Sequence, residues 1–313
     1  MLTSAEVGRP DLTIPDGEDL RVVCSLDSSL SEALAGAQAA FLWDVALAEE
    51  LREHWEWMEG VQWLHVAATG VERFSFEACA ASPLVLTNAG GIYDTPIAEY
   101  ALAACLAHER RFALLHEQQR AHEWRWLEGG MLAGTHVLIV GPGRIGRACA
   151  ERFAALGCHV AALGSRRRAP YAPFEFVDAS DDADAALGWA DHIVITAPLT
   201  DATRGLLDSA AFSACKPGVH IVNVARGEIV NTAALERALA DGRIGAATLD
   251  VLEDEPLAPD SPLWDAENVR ITPHVAGDVR GFEGALIAQF ERNVAHWRAG
   301  EPLECVVDKS RGY

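Results

Sequence analysis

The chain has 313 residues, 50% of them apolar and 23% charged, with a formal net charge of −21. That length suits two globular α/β domains, each able to bury its own core, and the negative charge disfavours nucleic acid and anionic membranes as partners. Seven cysteines, at positions 24, 79, 105, 149, 158, 215 and 305, show no CxxC or metal-ligand spacing, so buried reduced thiols, no metal site and a cytoplasmic setting are expected.

Residues 1 to 18 are acidic and rich in Pro and Gly and read as a loose leader. Met1 to Glu6 lack a basic n-region and an apolar core, so no export signal is expected. Short β-rich apolar runs follow at Leu20–Cys24, Ala39–Trp43, Val61–Val66 and Leu84–Thr87, and each predicts a strand. Helical spacing lies between them, for example from Ala46 to Met58. Trp43, His65 and Tyr93 are candidate pocket walls that core packing explains equally well. Thr95 and Pro96 make an N-cap and a first-turn proline, opening one long apolar helix from Ile97 to about Gln119. Strands predicted at 136–140, 158–163, 192–196, 219–224, 246–251 and 269–272 then alternate with helices, the pattern of a doubly wound parallel sheet. A last helix spans about Phe282 to Ala299. No apolar run approaches the roughly 18 residues of a membrane span.

The run His136–Val140 leads into Gly141-Pro142-Gly143-Arg144-Ile145-Gly146 and a helix that Gly157 closes. This is G-x-G-x-x-G between a strand and a helix. The first glycine allows the tight turn, the second lets backbone approach a pyrophosphate, and the third lets helix pack on strand. The helix N-terminus then faces the phosphates. An acidic residue that takes the ribose 2′-OH of NAD is expected about twenty positions on. Gly164 stands there, followed by Ser165, Arg166, Arg167 and Arg168. No carboxylate repels a 2′-phosphate at that place, and guanidiniums are available to bind one. NADP(H) is therefore preferred, with NAD(H) possible.

Arg226, Glu255 and His274 each sit just past an apolar run. If those runs are parallel strands, all three project from the carboxyl edge of one sheet, where open α/β sheets bind ligands. Arg grips a carboxylate bidentately. His passes a proton near neutral pH, and a neighbouring Glu stabilises its charged form. The trio suits reduction of a carbonyl beside a carboxylate.

These motifs, from Asn88–Glu99 (NAGGIYDTPIAE) through the glycine turn, Thr196–Thr200 (TAPLT), Asn223–Val230 (NVARGEIV) and Leu249–Leu257 (LDVLEDEPL) to Thr272–Gly277 (TPHVAG), resemble those of the D-isomer-specific 2-hydroxyacid dehydrogenase family. The resemblance covers roughly residues 60 to 280. It implies an α/β protein of two doubly wound parallel-sheet domains: a flavodoxin-like substrate domain from residues 1–96 and 283–313, and a Rossmann-type cofactor domain at 97–282. By the same resemblance Arg226 binds substrate, and Glu255 and His274 form the acid–histidine pair. Glutamate at 255 argues against formate oxidation, since formate dehydrogenases of the family carry glutamine there. Asp250 bonds the nicotinamide carboxamide, and Ala225 lies near the nicotinamide. Ala197 and Pro198 run along the cofactor. The expected cofactor contacts are completed by Gly141, Gly143, Arg144, Ile145, Gly146, Ser165, Arg166, Arg167 and Thr203. The loop Ala67–Val71 matches the one whose amides meet the substrate carboxylate, which singles out Thr69 and Gly70. Two departures stand out, Gly164 and Pro142, the latter where a larger apolar residue is usual. The activity implied is hydride transfer between NADP(H) and a small 2-keto acid or D-2-hydroxy acid, in the reducing direction. An NAD(H)-dependent dehydrogenase and a dinucleotide-sensing, corepressor-like binding protein are the alternatives. A homodimer formed through the cofactor domain is expected, with Trp124 or Trp126 as residues that reach the partner or pack within one chain.

Overall fold

The computed structural model describes residues 1–3, 10–13 and 28–312. The expected strand at 20–24 lies outside them. In chain order the elements are α1 (Ser28–Leu34), β1 (Ala39–Leu42), α2 (Ala48–Glu53), β2 (Trp63–Val66), α3 (Glu77–Ala81), β3 (Val85–Asn88), α4 (Asp94–Glu109), α5 (Phe112–Arg120), β4 (His136–Val140) and α6 (Arg144–Ala155). Then come β5 (His159–Gly164), β6 (Val177–Ala179), α7 (Asp184–Trp189), β7 (His192–Ile195), α8 (Ser209–Ala214), β8 (Val219–Asn223), α9 (Thr232–Ala240), β9 (Ile244–Leu249), β10 (Val269–Ile271) and α10 (Phe282–Ala299). They form two compact units, Met1–Tyr93 with Val279–Tyr313, and Asp94–Asp278. Among the described residues no helix is long and apolar enough to cross a membrane.

The first unit is built on a parallel sheet in the order β1-β2-β3. Alternation along each strand separates its faces. Ala40, Leu42, Leu64, Val66 and Leu86 enter one core cluster, while Phe41 and Trp63 enter another with Leu286 and Phe290 of α10. Phe290 stacks on Phe41 at 4.1 Å between ring centroids, and Trp63 Nε1 donates to Thr87 Oγ1 at 2.8 Å. The leader is not loose where it is described. Leu2 is buried, donates its amide to Phe41 O at 2.7 Å and accepts from Trp43 N at 2.9 Å, because an apolar side chain beside a sheet edge gains both burial and backbone partners. At the other edge Val306 bridges Thr87 in antiparallel sense. The expected helix from Ala46 to Met58 is interrupted at His54, whose φ of −114° and ψ of 34° separate α2 from a 3₁₀ turn at Trp55–Met58.

The second unit has seven parallel strands in the order β10-β9-β8-β7-β4-β5-β6. The chain begins at β4, winds outward to β6, returns to β7 and winds outward the other way. The junction of β4 and β7 is therefore the switch point of a doubly wound sheet, where ligands bind at the carboxyl edge. Both faces are covered, so the strands read as continuous apolar runs: Leu138 and Val140 enter one cluster, Val137 and Ile139 the other. β6 was absent from the expected strands, since three residues are too short for a pattern, and β9 runs Ile244–Leu249 rather than 246–251. α4 begins at Asp94, one position before the expected cap Thr95. It does not continue to Gln119. Arg111 takes a left-handed φ of 53°, and Gly130 N donates to Glu109 O at 2.7 Å, so a returning segment satisfies a carbonyl that a longer helix would have used.

Candidate active site

The three glycines of the turn after β4 have three physical reasons. Gly141 has a φ of 97°, and a Cβ there would run into the backbone of Ala197. Gly146 lies so close to the Gly141 carbonyl oxygen that no side chain fits, which lets α6 approach β4. Gly143 is the N-cap of α6, and a Cβ there would meet nothing within 4 Å, so open space lies beside the start of the helix, where a pyrophosphate can approach the first amides. Thr196 joins the two sides of the switch point, its hydroxyl donating to Gly141 O at 2.8 Å. Ala197 is buried and Pro198 exposed at the same edge. Ile145 is half-buried, and the Arg144 guanidinium is tied to Asp94 at 3.1 Å. Thr203 holds this loop's shape, donating to Pro198 O at 2.7 Å and accepting from Thr200 N at 2.8 Å.

The end of β5 corrects one expectation. Ser165 and Arg166 are exposed, but Arg167 is not available as a free cation: its guanidinium meets Asp178 at 2.9 Å and Asp182 at 3.1 Å. Asp178 lies in β6, directly opposite Leu163. The two departures from the family pattern are neighbours in space: a Cβ added at Gly164 would stand 3.4 Å from Pro142 Cγ, an ordinary contact.

Arg226, Glu255 and His274 belong together. Arg226 opens a 3₁₀ turn at Gly227–Ile229. Buried Asn223 shapes that turn, donating Nδ2 to Arg226 O at 3.0 Å while its Oδ1 accepts from Ala225 N at 3.1 Å. Arg226 Nη1 donates to the carbonyl of buried Ala225 at 2.6 Å. His274 Nδ1 donates to Glu255 Oε2 at 2.8 Å, and Leu252 N fixes the other carboxylate oxygen at 3.0 Å. Nδ1 is thereby engaged, and Nε2 is the nitrogen left to exchange a proton. The bond to Glu255 raises His274 above the ordinary imidazole value, reinforced by the charges of Glu255 and Asp250 and opposed by burial and Arg226. Partial burial works against the charge of Glu255, yet the bonds from His274 and Leu252 N, with the charges of His274 and Arg226, hold it below the usual carboxylate range.

The model of a family described as D-isomer specific 2-hydroxyacid dehydrogenase, NAD binding domain, matches residues 102–276, over half the chain. The chain belongs to the D-isomer-specific 2-hydroxyacid dehydrogenase family. D-3-phosphoglycerate dehydrogenase of Mycobacterium leprae is 38% identical over 251 residues, 79% of this chain and 47% of that protein. The chain thus spans under half the length of that relative. An NADPH-dependent glyoxylate/hydroxypyruvate reductase from Sinorhizobium meliloti, solved with NADP and sulfate, is 29% identical with a TM-score of 0.80, over 95% of this chain and 93% of that one. A probable 2-hydroxyacid dehydrogenase from Rhizobium etli CFN 42, solved with NADP, HEPES and L(+)-tartaric acid, is 28% identical with a TM-score of 0.80, over 93% and 91%. As a 2-hydroxyacid dehydrogenase the chain is an NAD(P)-dependent oxidoreductase acting on small 2-hydroxy or 2-keto acids.

In this dehydrogenase Asp250 does more than sequence suggested. It is 3% exposed. Its oxygens accept from Val275 N and Ala276 N, each at 2.9 Å, and from Thr272 Oγ1, so it shapes the loop that carries His274. Sequence reading also missed Asn223 and Thr196 as loop builders; their place at strand ends was the available signal. In the first unit the Thr69 hydroxyl is buried and has no hydrogen-bond partner among the described residues, and Asn88 Nδ2 donates to Thr69 O at 2.7 Å. Gly70 follows it in a half-buried loop. His65 is a core residue, 0% exposed and bonded to Thr87 Oγ1 at 2.7 Å, with burial lowering it to about 4. Trp43 is likewise buried, and Tyr93 is half-buried. Cys105, His192 and His220 come together in the second unit; three separate elements supply them, so no sequence spacing reveals the cluster.

Proposed function

We propose that the chain is an NADPH-dependent reductase that converts a small 2-keto acid to the D-2-hydroxy acid. The observation that carries this reading is the His274–Glu255 pair at 2.8 Å with Arg226 acting on both. When bound, the nicotinamide supplies the hydride for the keto carbon. Arg226 holds the substrate carboxylate and polarises the carbonyl, fixing the keto carbon for attack. His274, charged because Glu255 favours the imidazolium, gives its Nε2 proton to the carbonyl oxygen as the alcohol forms. Glu255 orients the ring. Thr69 and Gly70 are taken as carboxylate contacts through their turn amides, and Ala225, Ala197, Pro198 and Thr203 as cofactor contacts. Replacing Arg226 by alanine is expected to raise KM and lower kcat together, with kcat/KM down by about a hundredfold or more; an unchanged kcat/KM would release Arg226 from this role.

The preference for NADPH rests on Gly164, Ser165 and Arg166. Glycine at 164 carries no carboxylate to repel a 2′-phosphate at that position. The relatives solved with NADP lend support. The deciding experiment is steady-state reduction of glyoxylate, hydroxypyruvate and bulkier 2-keto acids with each cofactor. Equal or better use of NADH would end the NADPH reading. Silence across the panel with tight dinucleotide binding would favour a dinucleotide-sensing protein. Arg166→Ala is expected to raise KM for NADPH by about tenfold, on the order of 1.4 kcal/mol, while leaving NADH kinetics in place.

A homodimer belongs to the same reading. Phe112, Leu114 and Leu115 of α5 are exposed, as are Trp124, Trp126 and Met131 in the segment after it. So many apolar side chains in one region mark an interaction surface. Sedimentation should give a dimer, and Trp124→Ser with Trp126→Ser should weaken it; a monomeric wild-type protein refutes the assembly.

A further inference from the structure

A buried polar cluster lies at the other edge of the seven-stranded sheet. His192 is the first residue of β7 and His220 the second of β8, at the amino ends of strands whose carboxyl ends lead to Ala197 and Arg226. Cys105 reaches them from α4. All three side chains are 1% exposed or less. One ligand atom from each lies within 4.8 Å of the other two. The two Nδ1 atoms face each other at 3.3 Å. The Nε2 atoms point elsewhere: that of His220 is 3.0 Å from Thr248 Oγ1, and that of His192 is 3.1 Å from Glu109 Oε1, out of line for a full hydrogen bond.

Metal-bound imidazoles adopt this arrangement, with one ring nitrogen on the ion and the other turned to a carboxylate or other polar group. The spacing fits as well. Two nitrogens about 2.0–2.1 Å from a tetrahedral Zn²⁺ stand about 3.3–3.4 Å apart. Without a cation, two bare Nδ1 lone pairs at that distance repel, and one ring must carry its proton on Nδ1 and present a bare Nε2 to its outer partner. A thiolate and two imidazoles form a borderline-soft donor set that suits zinc rather than magnesium or calcium. His220 and Thr248 also line a cavity of about 790 Å³ with Glu109 and Glu267 on its wall, which gives a cation a way in.

We propose that Cys105, His192 and His220 bind one Zn²⁺ through the thiolate sulfur and the two Nδ1 atoms, with a water molecule as the fourth ligand and with Glu109 and Thr248 orienting the rings. The Cys105 proton passes to solvent on binding. The ion ties α4, near the turn at Arg110 and Arg111, to β7 and β8. This site is separate from the reduction chemistry and stands whatever the substrate.

The test is titration of the chelator-treated full chain with Co²⁺, a spectroscopic stand-in for zinc, followed by displacement with Zn²⁺. One equivalent per chain should give a thiolate-to-cobalt charge-transfer band and strong visible bands of four-coordinate cobalt, both abolished by zinc. Cys105→Ser, checked for folding by circular dichroism, should lose the charge-transfer band. Glu109→Gln should bind zinc about ten- to a hundredfold more weakly. Zinc should also raise the melting temperature of the wild-type protein. No charge-transfer band in the wild-type chain overturns the proposal without recourse to any variant, and so does a band that persists in Cys105→Ser.

Discussion

His274→Ala is expected to lose turnover by on the order of a hundred- to ten-thousandfold, with cofactor affinity retained. The size of the loss follows from what the imidazole does. The alkoxide formed by hydride addition needs a proton as it forms, and water supplies it less effectively than a positioned imidazolium. The pH dependence separates this role from packing. Glu255 raises the His274 pKa in the folded chain, so reducing kcat/KM should hold level at low pH and fall as pH rises through that raised value. In the oxidising direction the neutral ring is the base, and the limb is inverted. Glu255→Gln keeps an acceptor for Nδ1 but removes the charge, so the fall should move to lower pH. Stability follows the same linkage. The histidine contribution is complete below the unfolded imidazole pKa and is lost as pH rises through the folded value. The glutamate contribution is present above the unfolded carboxylate pKa and is lost as pH falls through its depressed folded value. The side chains are 50% and 38% exposed, so solvent screening keeps the stability effect small beside the effect on turnover. Superimposable pH profiles for wild type and Glu255→Gln would remove Glu255 from this role.

What could be read from the sequence was what local rules govern. The glycine turn is one such case: tight φ, open approach and close helix packing are all imposed within Gly141–Gly146. The strands of the second unit are another, because burial on both faces writes an apolar run. What escaped reading depends on partners far away in the chain. α4 ends at Glu109 because Gly130 takes its carbonyl, and nothing in Glu109–Phe112 disfavours helix by itself. Arg167 reads as a free guanidinium only while β6 is overlooked, since Asp178 in that strand is its counter-ion. His65 read as a possible pocket wall; Phe41, Trp63 and Phe290 enclose it. In the same way the trio Arg226, Glu255 and His274 was visible as residue types at strand ends, whereas the residue that holds the His274 loop was not visible as such.

That residue is Asp250, and Asp250→Ala should approach His274→Ala in its effect on turnover. His274 has a φ of 56°, a left-handed conformation that costs a non-glycine residue on the order of 1–2 kcal/mol. It persists because the surroundings over-determine it. Asp250 O accepts from His274 N at 2.9 Å, and the Asp250 carboxylate accepts from the amides of Val275 and Ala276 and from the Thr272 hydroxyl. Removing the carboxylate leaves the buried Ala276 N–H and the part-buried Val275 N–H unpaired, at roughly 1–3 kcal/mol for each fully buried group. The loop relaxes to recover partners in water, His274 returns to negative φ, and the imidazole swings off Glu255. Turnover should fall, melting temperature should drop, and any residual activity should decline at lower pH, because the charges of both Glu255 and Asp250 support the imidazolium. Asp250→Asn, with one carbonyl oxygen left and an amide NH₂ set against a donor, should lie between. The family resemblance implies a different duty, a bond to the nicotinamide carboxamide. The two duties separate experimentally, since a carboxamide ligand governs cofactor affinity and leaves the His274 titration where it was. An Asp250→Ala enzyme with weakened cofactor binding and an unmoved pH limb would therefore assign Asp250 to the cofactor and leave the left-handed His274 to be held by its remaining backbone bonds.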